Sequence, residues 1–223
     1  MRKLVLFLAT LCLLISVSGC LLFAAEESDK PYFELDFDDE PLGPLTPIEN
    51  VRLIRADTQP QVVESPDRPG KSIMITAPAS QNWGDAFYYK LPTPVKDKLT
   101  IEAWVYAETD VHRSAILFAS SPLGPVYGDG VSLYLYNNGE IRYFDTAFRE
   151  TTATYKAGQW IHLLVEVNVA EQYYDIYVDD LTTPVARAPF RESACEEIQS
   201  VGFAMYTHTH QPGPVYIDSL IIR

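Results

Sequence analysis

Apolar and polar residues alternate along most of this chain with the period of an extended strand. In Leu99–Tyr106, the residues Leu99, Ile101, Ala103 and Val105 share one face, and Thr100, Glu102, Trp104 and Tyr106 the other. The same sorting sets Val131, Leu133 and Leu135 against Ser132, Tyr134 and Tyr136, and Ile161, Leu163, Val165 and Val167 against His162, Leu164 and Glu166. It recurs as Tyr174, Ile176 and Val178 against Tyr173, Asp175 and Tyr177, and as Phe203 and Met205 against Gly202, Ala204 and Tyr206. Eleven strands are predicted: Tyr32–Phe37, Ser72–Thr76, Ala86–Lys90, Leu99–Ala107, Ala115–Ala119, Gly130–Tyr136, Ile141–Asp145, Trp160–Val167, Tyr173–Val178, Ser200–Tyr206 and Val215–Ile222. With no credible long helix beside them, they specify an all-β sandwich or barrel of antiparallel sheets. Asn137-Asn138-Gly139 tolerates positive φ and should close a tight hairpin, and Asp179-Asp180 offers a second turn. Pro41–Pro47, Ser121–Pro125 and Pro212–Pro214 read as loops, because proline cannot donate to a strand ladder.

The start of the chain breaks this pattern. Arg2 and Lys3 precede the apolar run Leu4–Val17, which reads as a secretory signal and is too short to anchor in a bilayer as a helix. Val17-Ser18-Gly19-Cys20 resembles the lipobox of bacterial lipoproteins, which implies Cys20 as the lipidated first residue of the mature chain. The alternative is an ordinary signal cut near Ala24-Ala25, since Leu21-Leu22-Phe23 is apolar for a tether. Residues 1–19 are therefore read as signal peptide, 20–30 as a tether and 31–223 as one domain of an exported protein. Leu21 rather than Asp after the lipid cysteine would favour the outer membrane or cell surface over a periplasmic or secreted end-point.

Roughly 200 residues then remain, enough for one domain with a sizeable core. Cys12 lies in the signal and Cys20 is the lipid site, so Cys195 stands alone and the mature domain has no intramolecular disulfide. The formal charge is −13, with no basic stripe; such a surface repels phosphate backbones and argues against a nucleic-acid partner. It leaves carboxylates available to calcium or to sugar hydroxyls.

The order of motifs resembles the concanavalin A-like lectin/glucanase superfamily, and within it the laminin G-like domains. The residues that carry the likeness are Phe33-Glu34-Leu35-Asp36-Phe37-Asp38, Leu99-Thr100-Ile101-Glu102-Ala103-Trp104-Val105, Gly158-Gln159-Trp160-Ile161-His162, Asp175-Ile176-Tyr177-Val178-Asp179 and Val215-Tyr216-Ile217-Asp218. The resemblance implies a two-sheet antiparallel jelly roll, often used to hold sugar chains. Asp180 departs from it, because such domains commonly have glycine there. Galactose-binding-like jelly rolls share similar first and last strands and are the second choice. The resemblance also implies a structural calcium held by Asp218 with Asp36 or Asp38 and a backbone oxygen near Gly70; hard oxygens from distant chain segments suit that ion. The competing reading has Asp218 capping the closing strand.

The outward residues are rich in tyrosine rather than in the Lys, Glu and Thr of a solvated sheet. Trp104, Tyr134, Tyr136, Tyr173, Tyr177 and Tyr206, with Glu102, Arg142, Glu166 and Asp175 between them, are expected to form a carbohydrate platform, joined by Trp83 and Tyr88. Alternatively, these rings are packed beneath a second layer, and Trp104 and Trp160 look structural. For cleavage, Glu102 and Glu166 share a face, whereas Glu166 and Glu171 match a glucanase-like spacing only with Asn168 in place of its middle acid. A lyase would want a Tyr or His base beside a cation, for which Arg142 and His162 are of the right type. His208 and His210 lack a third ligand, and Cys195 reads as a small buried filler. The motif-poor, aromatic-rich face favours binding of polysaccharide or glycoconjugate over catalysis. A glycosidase or lyase, and an envelope protein-interaction module, are the alternatives, and oligomeric state is left open.

Overall fold

All eleven predicted strands form, and their aliphatic faces meet between two antiparallel sheets. The computed structural model describes residues 30–53, 59–77, 83–110, 114–121, 129–206 and 213–223, apart from the side chains of 83–85, 114–116 and 206. The signal peptide, Cys20, most of the tether, His208 and His210 lie outside the described residues.

Sheet I runs β14 (Ala186–Pro189), β13 (Tyr173–Val178), β12 (Trp160–Asn168), β7 (Lys98–Ala107), β16 (Val215–Ile222), β5 (Lys71–Ile75), β4 (Gln61–Glu64) and β2 (Gly43–Pro44), with β1 (Phe33–Leu35) also paired to β16. Sheet II runs β11 (Phe148–Thr154), β10 (Glu140–Phe144), β9 (Asp129–Leu135), β8 (Ser114–Ser120), β15 (Ile198–Tyr206), β6 (Trp83–Val95) and β3 (Val51–Leu53). The arrangement is a two-sheet antiparallel jelly-roll sandwich. Ile101, Val105, Val165, Ile176 and Ile217 of sheet I join Leu117, Leu133, Val201 and Phe203 of sheet II in one cluster, each fully shielded from water. Each such side chain contributes about 1.5–3 kcal/mol by burial, which is what holds a domain without disulfides.

Five strands escaped the pattern: β2, β3, β4, β11 and β14. Four of them are the outer edges of the two sheets, and β4 lies next to an edge. An edge strand has one neighbour and needs no buried face, so polar Phe148–Thr154 and proline-bearing Ala186–Pro189 carry no alternation. β6 is longer than expected and contains Pro92 and Pro94, which lie beyond the stretch paired to β3.

The hairpin between β9 and β10 closes as predicted, with Asn138 and Gly139 at φ 65° and 77° and the Tyr136 amide donating to the Glu140 carbonyl at 2.8 Å. At Asp179 φ is 61°, and its carboxylate accepts from the His162 amide, so this turn needs no glycine.

Candidate functional site

Alternation decides whether a side chain points in or out; strand pairing decides onto which sheet. β7 lies between β12 and β16, which places Trp104, Glu102, Glu166, Tyr173, Asp175 and Tyr177 on the outer face of sheet I. Tyr134, Tyr136 and Arg142 lie on β9, its hairpin and β10, on the outer face of sheet II. Tyr206 is in β15 of sheet II, opposite Trp83 in register, and both side chains lie outside the described residues. The expected single platform is therefore two surfaces that look away from each other across the core. Arg142 and His162, the lyase-type pair, are separated in the same way.

On sheet I the polar groups are matched to partners. Trp104 stacks on His162 with ring centroids 4.4 Å apart, and Arg68 lies over both Trp104 and Trp160. The Trp160 indole donates to the Pro66 carbonyl at 2.6 Å, which ties the turn before Gly70 to this face. Glu102 pairs with His162 at 2.9 Å and with Arg223 at 3.4 Å. Glu166 accepts the Tyr177 hydroxyl at 2.9 Å; burial and this carboxylate push the Tyr177 hydroxyl up to about 12. Arg187 donates twice to Asp175, at 2.8 and 2.7 Å, and lies over Tyr173. Glu171 sits in the turn after β12, with its amide bonded to the Asn168 side chain, and is not on the strand beside Glu166.

The outer face of sheet II differs. Phe148 of β11 packs against Tyr134, Tyr136 and Phe144 at centroid distances of 5.0, 5.4 and 4.9 Å, forming a strip of which Tyr134 is buried and the other three rings are half-exposed. Arg142 lies over Tyr136 at 4.2 Å and pairs with Glu140 and Glu150. Arg191 lies over Phe144 at 4.9 Å and extends the strip to Asp129 at the start of β9. Asp129 is 2% exposed; its Oδ2 accepts from Ser132 and from Arg191, each at 3.2 Å. Among the described residues its Oδ1 is buried without a hydrogen-bond partner, as are the Nε atoms of Arg191 and Arg142. Burial pushes the Asp129 carboxyl up to about 6, against the pull of the Arg191 charge and the Ser132 hydroxyl.

Sequence reasoning missed Asp129, Ser132, Phe144, Phe148 and Arg191. Beyond them, Ser120 and Ser200 hydrogen-bond at 3.1 Å, and Ala86, Phe118 and Ala204 form a small buried cluster with Tyr88 on this same face. Gly202 lies among them because a Cβ there would come within 2.5 Å of the Phe118 ring and the Phe87 carbonyl. Small outward residues in an otherwise apolar strand were the available signal that this face is covered rather than solvated. Cys195 is buried, and burial pushes its thiol up to about 11, which suits a filler and not a nucleophile.

Of the expected calcium ligands, Asp38 and Gly70 are in contact, and among the described residues no group of three or more acidic, histidine or cysteine side chains is arranged to hold a metal. The Asp38 carboxylate accepts from the Lys71 amide at 2.7 Å and sits against Gly70, where a Cβ would come within 2.7 Å of it. Burial, opposed by Arg68 and the Ser219 amide but aided by the Asp38 and Asp36 charges, raises the pKa of Asp218. Two side-chain cations already meet this corner. Arg68 reaches Asp218 at 3.4 Å, and the Lys71 ammonium donates to the Asp38 and Glu40 carbonyls at 2.7 and 2.8 Å.

No family model matches the sequence, and no curated protein is significantly similar to it. Solved structures share the fold. A sialidase is 14% identical with a TM-score of 0.63 over 87% of this chain and 19% of the sialidase. The binding domain of botulinum neurotoxin DC, solved with rat synaptotagmin II, is 10% identical with a TM-score of 0.56 over 87% of this chain and 48% of that one. Botulinum neurotoxin type C, whose cell entry depends on interaction with two ganglioside molecules, is 10% identical with a TM-score of 0.52 over 77% of this chain and 42% of that one. The chain thus spans less than half the length of each.

Proposed function

We propose that this chain is an exported, lipid-anchored lectin-like module of the cell envelope, related to concanavalin A-like and laminin G-like domains, that holds a polysaccharide or glycoconjugate without cleaving it. The observation that carries this reading is on the outer face of sheet II, where the half-exposed rings of Tyr136, Phe144 and Phe148 form one strip. Aromatic rings accept the C–H faces of sugars. Neighbours that interact with gangliosides support a glycan as ligand class by analogy of fold. Retention of the protein on polysaccharide columns tests it. The wild type is expected to be retained by at least one polymer and Phe148→Ala to pass through while melting as a folded protein; equal retention of both would reject this face.

Binding is favoured over hydrolysis because Glu102 and Glu166, the best-placed acids, are each engaged by neighbours on sheet I, away from the aromatic strip. New reducing ends in a digest, abolished by Glu102→Gln or Glu166→Gln, would instead establish a glycosidase. Anchoring rests on Val17-Ser18-Gly19-Cys20; labelling with a palmitate analogue should be lost in Cys20→Ala. The reading also includes a structural calcium at Asp38, Gly70 and Asp218, in competition with Lys71 and Arg68. A melting temperature several degrees lower in chelator than in calcium would support it, as ligand linkage requires; identical curves would leave the two side chains as the only cations of that corner.

A further inference from the structure

The rings of the sheet II strip touch but do not lie in one plane. Phe148 is turned 47° from Tyr136, 73° from Phe144 and 83° from Tyr134, with centroids 5.4, 4.9 and 5.0 Å away. These are tilted and edge-on packings, and no residue added beside the strip makes the half-exposed rings of Tyr136, Phe144 and Phe148 parallel. The angles are also held. Arg142 lies over Tyr136 at 4.2 Å, and its Nη2 atom meets Glu140 at 2.7 Å and Glu150 at 2.8 Å. Arg191 lies over Phe144 at 4.9 Å; its Nη1 atom meets Asp129 at 3.2 Å, and its amide donates to the Gly130 carbonyl at 3.0 Å. Turning either ring to lie flat gives up its cation–π contact, and the guanidinium cannot follow without leaving its carboxylates.

This geometry bears on the form of the ligand. A sugar is held by laying its C–H face on an aromatic ring at van der Waals distance, so each ring dictates the plane of the sugar it holds. At the surface of a packed polymer, neighbouring chains lock the sugars into parallel planes. Such a surface can lie flat on one ring of the strip and meets the others at a steep angle. A single hydrated chain turns about each glycosidic bond, and it can offer successive sugars at different angles.

We propose that the strip holds a single hydrated polysaccharide chain, with successive sugars turned relative to one another, and not the surface of a packed or crystalline polymer. Arg142 and Arg191 are the positioning residues that keep its rings at these angles. This rests on the carbohydrate reading above and narrows the form in which the polymer is presented. Soluble, swollen and gel-forming polymers and the glycan of a glycoconjugate belong to the class; fibres and granules do not.

The test offers the full-length chain one sugar in two states: hydroxyethylcellulose against microcrystalline cellulose, glycol chitin against crystalline chitin, and galactomannan against crystalline mannan. Affinity electrophoresis reads the soluble member of each pair and co-sedimentation the insoluble one. For whichever sugar binds, the soluble form is expected to bind about tenfold more tightly per accessible sugar, because the rings are already set at angles that a free chain can match. Phe148→Ala should lose that binding with an unchanged melting curve; binding kept in this variant would place the chain elsewhere and overturn the inference. Glu140→Gln/Glu150→Gln, which frees Arg142 to leave Tyr136, should lower the soluble-over-crystalline ratio about threefold through lost preorganisation. An unchanged ratio would overturn the positioning role of Arg142. Equal or tighter binding of the crystalline form by the wild type would overturn the inference and leave the carbohydrate reading standing. With no member of any pair bound the inference falls, and the polysaccharide columns decide separately whether the carbohydrate reading falls with it.

Discussion

On the outer face of sheet I, Asp175 meets Arg187 through two hydrogen bonds of 2.8 and 2.7 Å, and the guanidinium stands 65% exposed. On the outer face of sheet II, Asp129 meets Arg191 through one contact of 3.2 Å, the arginine side chain is only 24% exposed, and one carboxylate oxygen has no partner among the described residues. Both are acid–arginine pairs, the first between neighbouring strands β13 and β14, the second between β9 and the segment after β14. Sheet I saturates its pair and lets water screen it; sheet II buries its pair and leaves polar atoms unpaired at a cost of about 1–3 kcal/mol each. The rings do not share this contrast: Trp104, under His162 and Arg68, and Tyr136 and Phe144, under Arg142 and Arg191, are all half-exposed.

The strongest way to break the comparison is steric. Gly202→Ala places a methyl 2.5 Å from the Phe118 ring and from backbone oxygen, and should cost about 3 kcal/mol in denaturant unfolding; a neutral result would mean that this face is loosely packed. Removing the acids comes next. Asp129→Ala leaves a mostly buried guanidinium without its carboxylate, and about 3 kcal/mol should be lost. Asp175→Ala, whose arginine returns to water, should lose about 1 kcal/mol. Equal losses would erase the distinction between the faces.

A pH series sharpens the comparison further. The Asp129 carboxyl titrates near 6 in the fold rather than at its ordinary 3.8, so between those values the native state binds more protons than the unfolded chain. Stability contributed by this group is therefore full at about pH 4 and falls as pH rises to about 6, by roughly 3 kcal/mol for two pH units. Asp129→Asn should flatten that part of the curve; an identical curve for the variant would mean that the carboxyl is not held as described. Smallest of all, Tyr177→Phe on sheet I removes one hydroxyl from a solvent-facing carboxylate and should change stability by less than about 1 kcal/mol.

The sandwich core was legible from alternation, since Leu99 to Val105, Ile161 to Val167 and Val131 to Leu135 each bury the predicted residues. The division of the outward residues between sheets was not. Period two distinguishes in from out and carries nothing about which sheet a strand joins, so Trp104 and Tyr134 looked like members of one surface until β7 paired with β12 and β8 with β9. Edge strand β11, which brings Phe148 to the site, is polar along most of its length and left no pattern to read. Asp129 and Arg191 are 62 residues apart in the chain, and no local motif announces a pair made by tertiary packing.

The central claim is that sugar is held on sheet II and not on sheet I. Isothermal titration of a soluble polysaccharide that retains the protein on a column into the wild type, Phe148→Ala and Tyr173→Ala tests it most directly, because both substitutions remove an aromatic ring from an outer face. The account predicts that Phe148→Ala abolishes the heat of binding and Tyr173→Ala leaves it unchanged. Binding lost in Tyr173→Ala and kept in Phe148→Ala would contradict it and move the site to the other side of the sandwich.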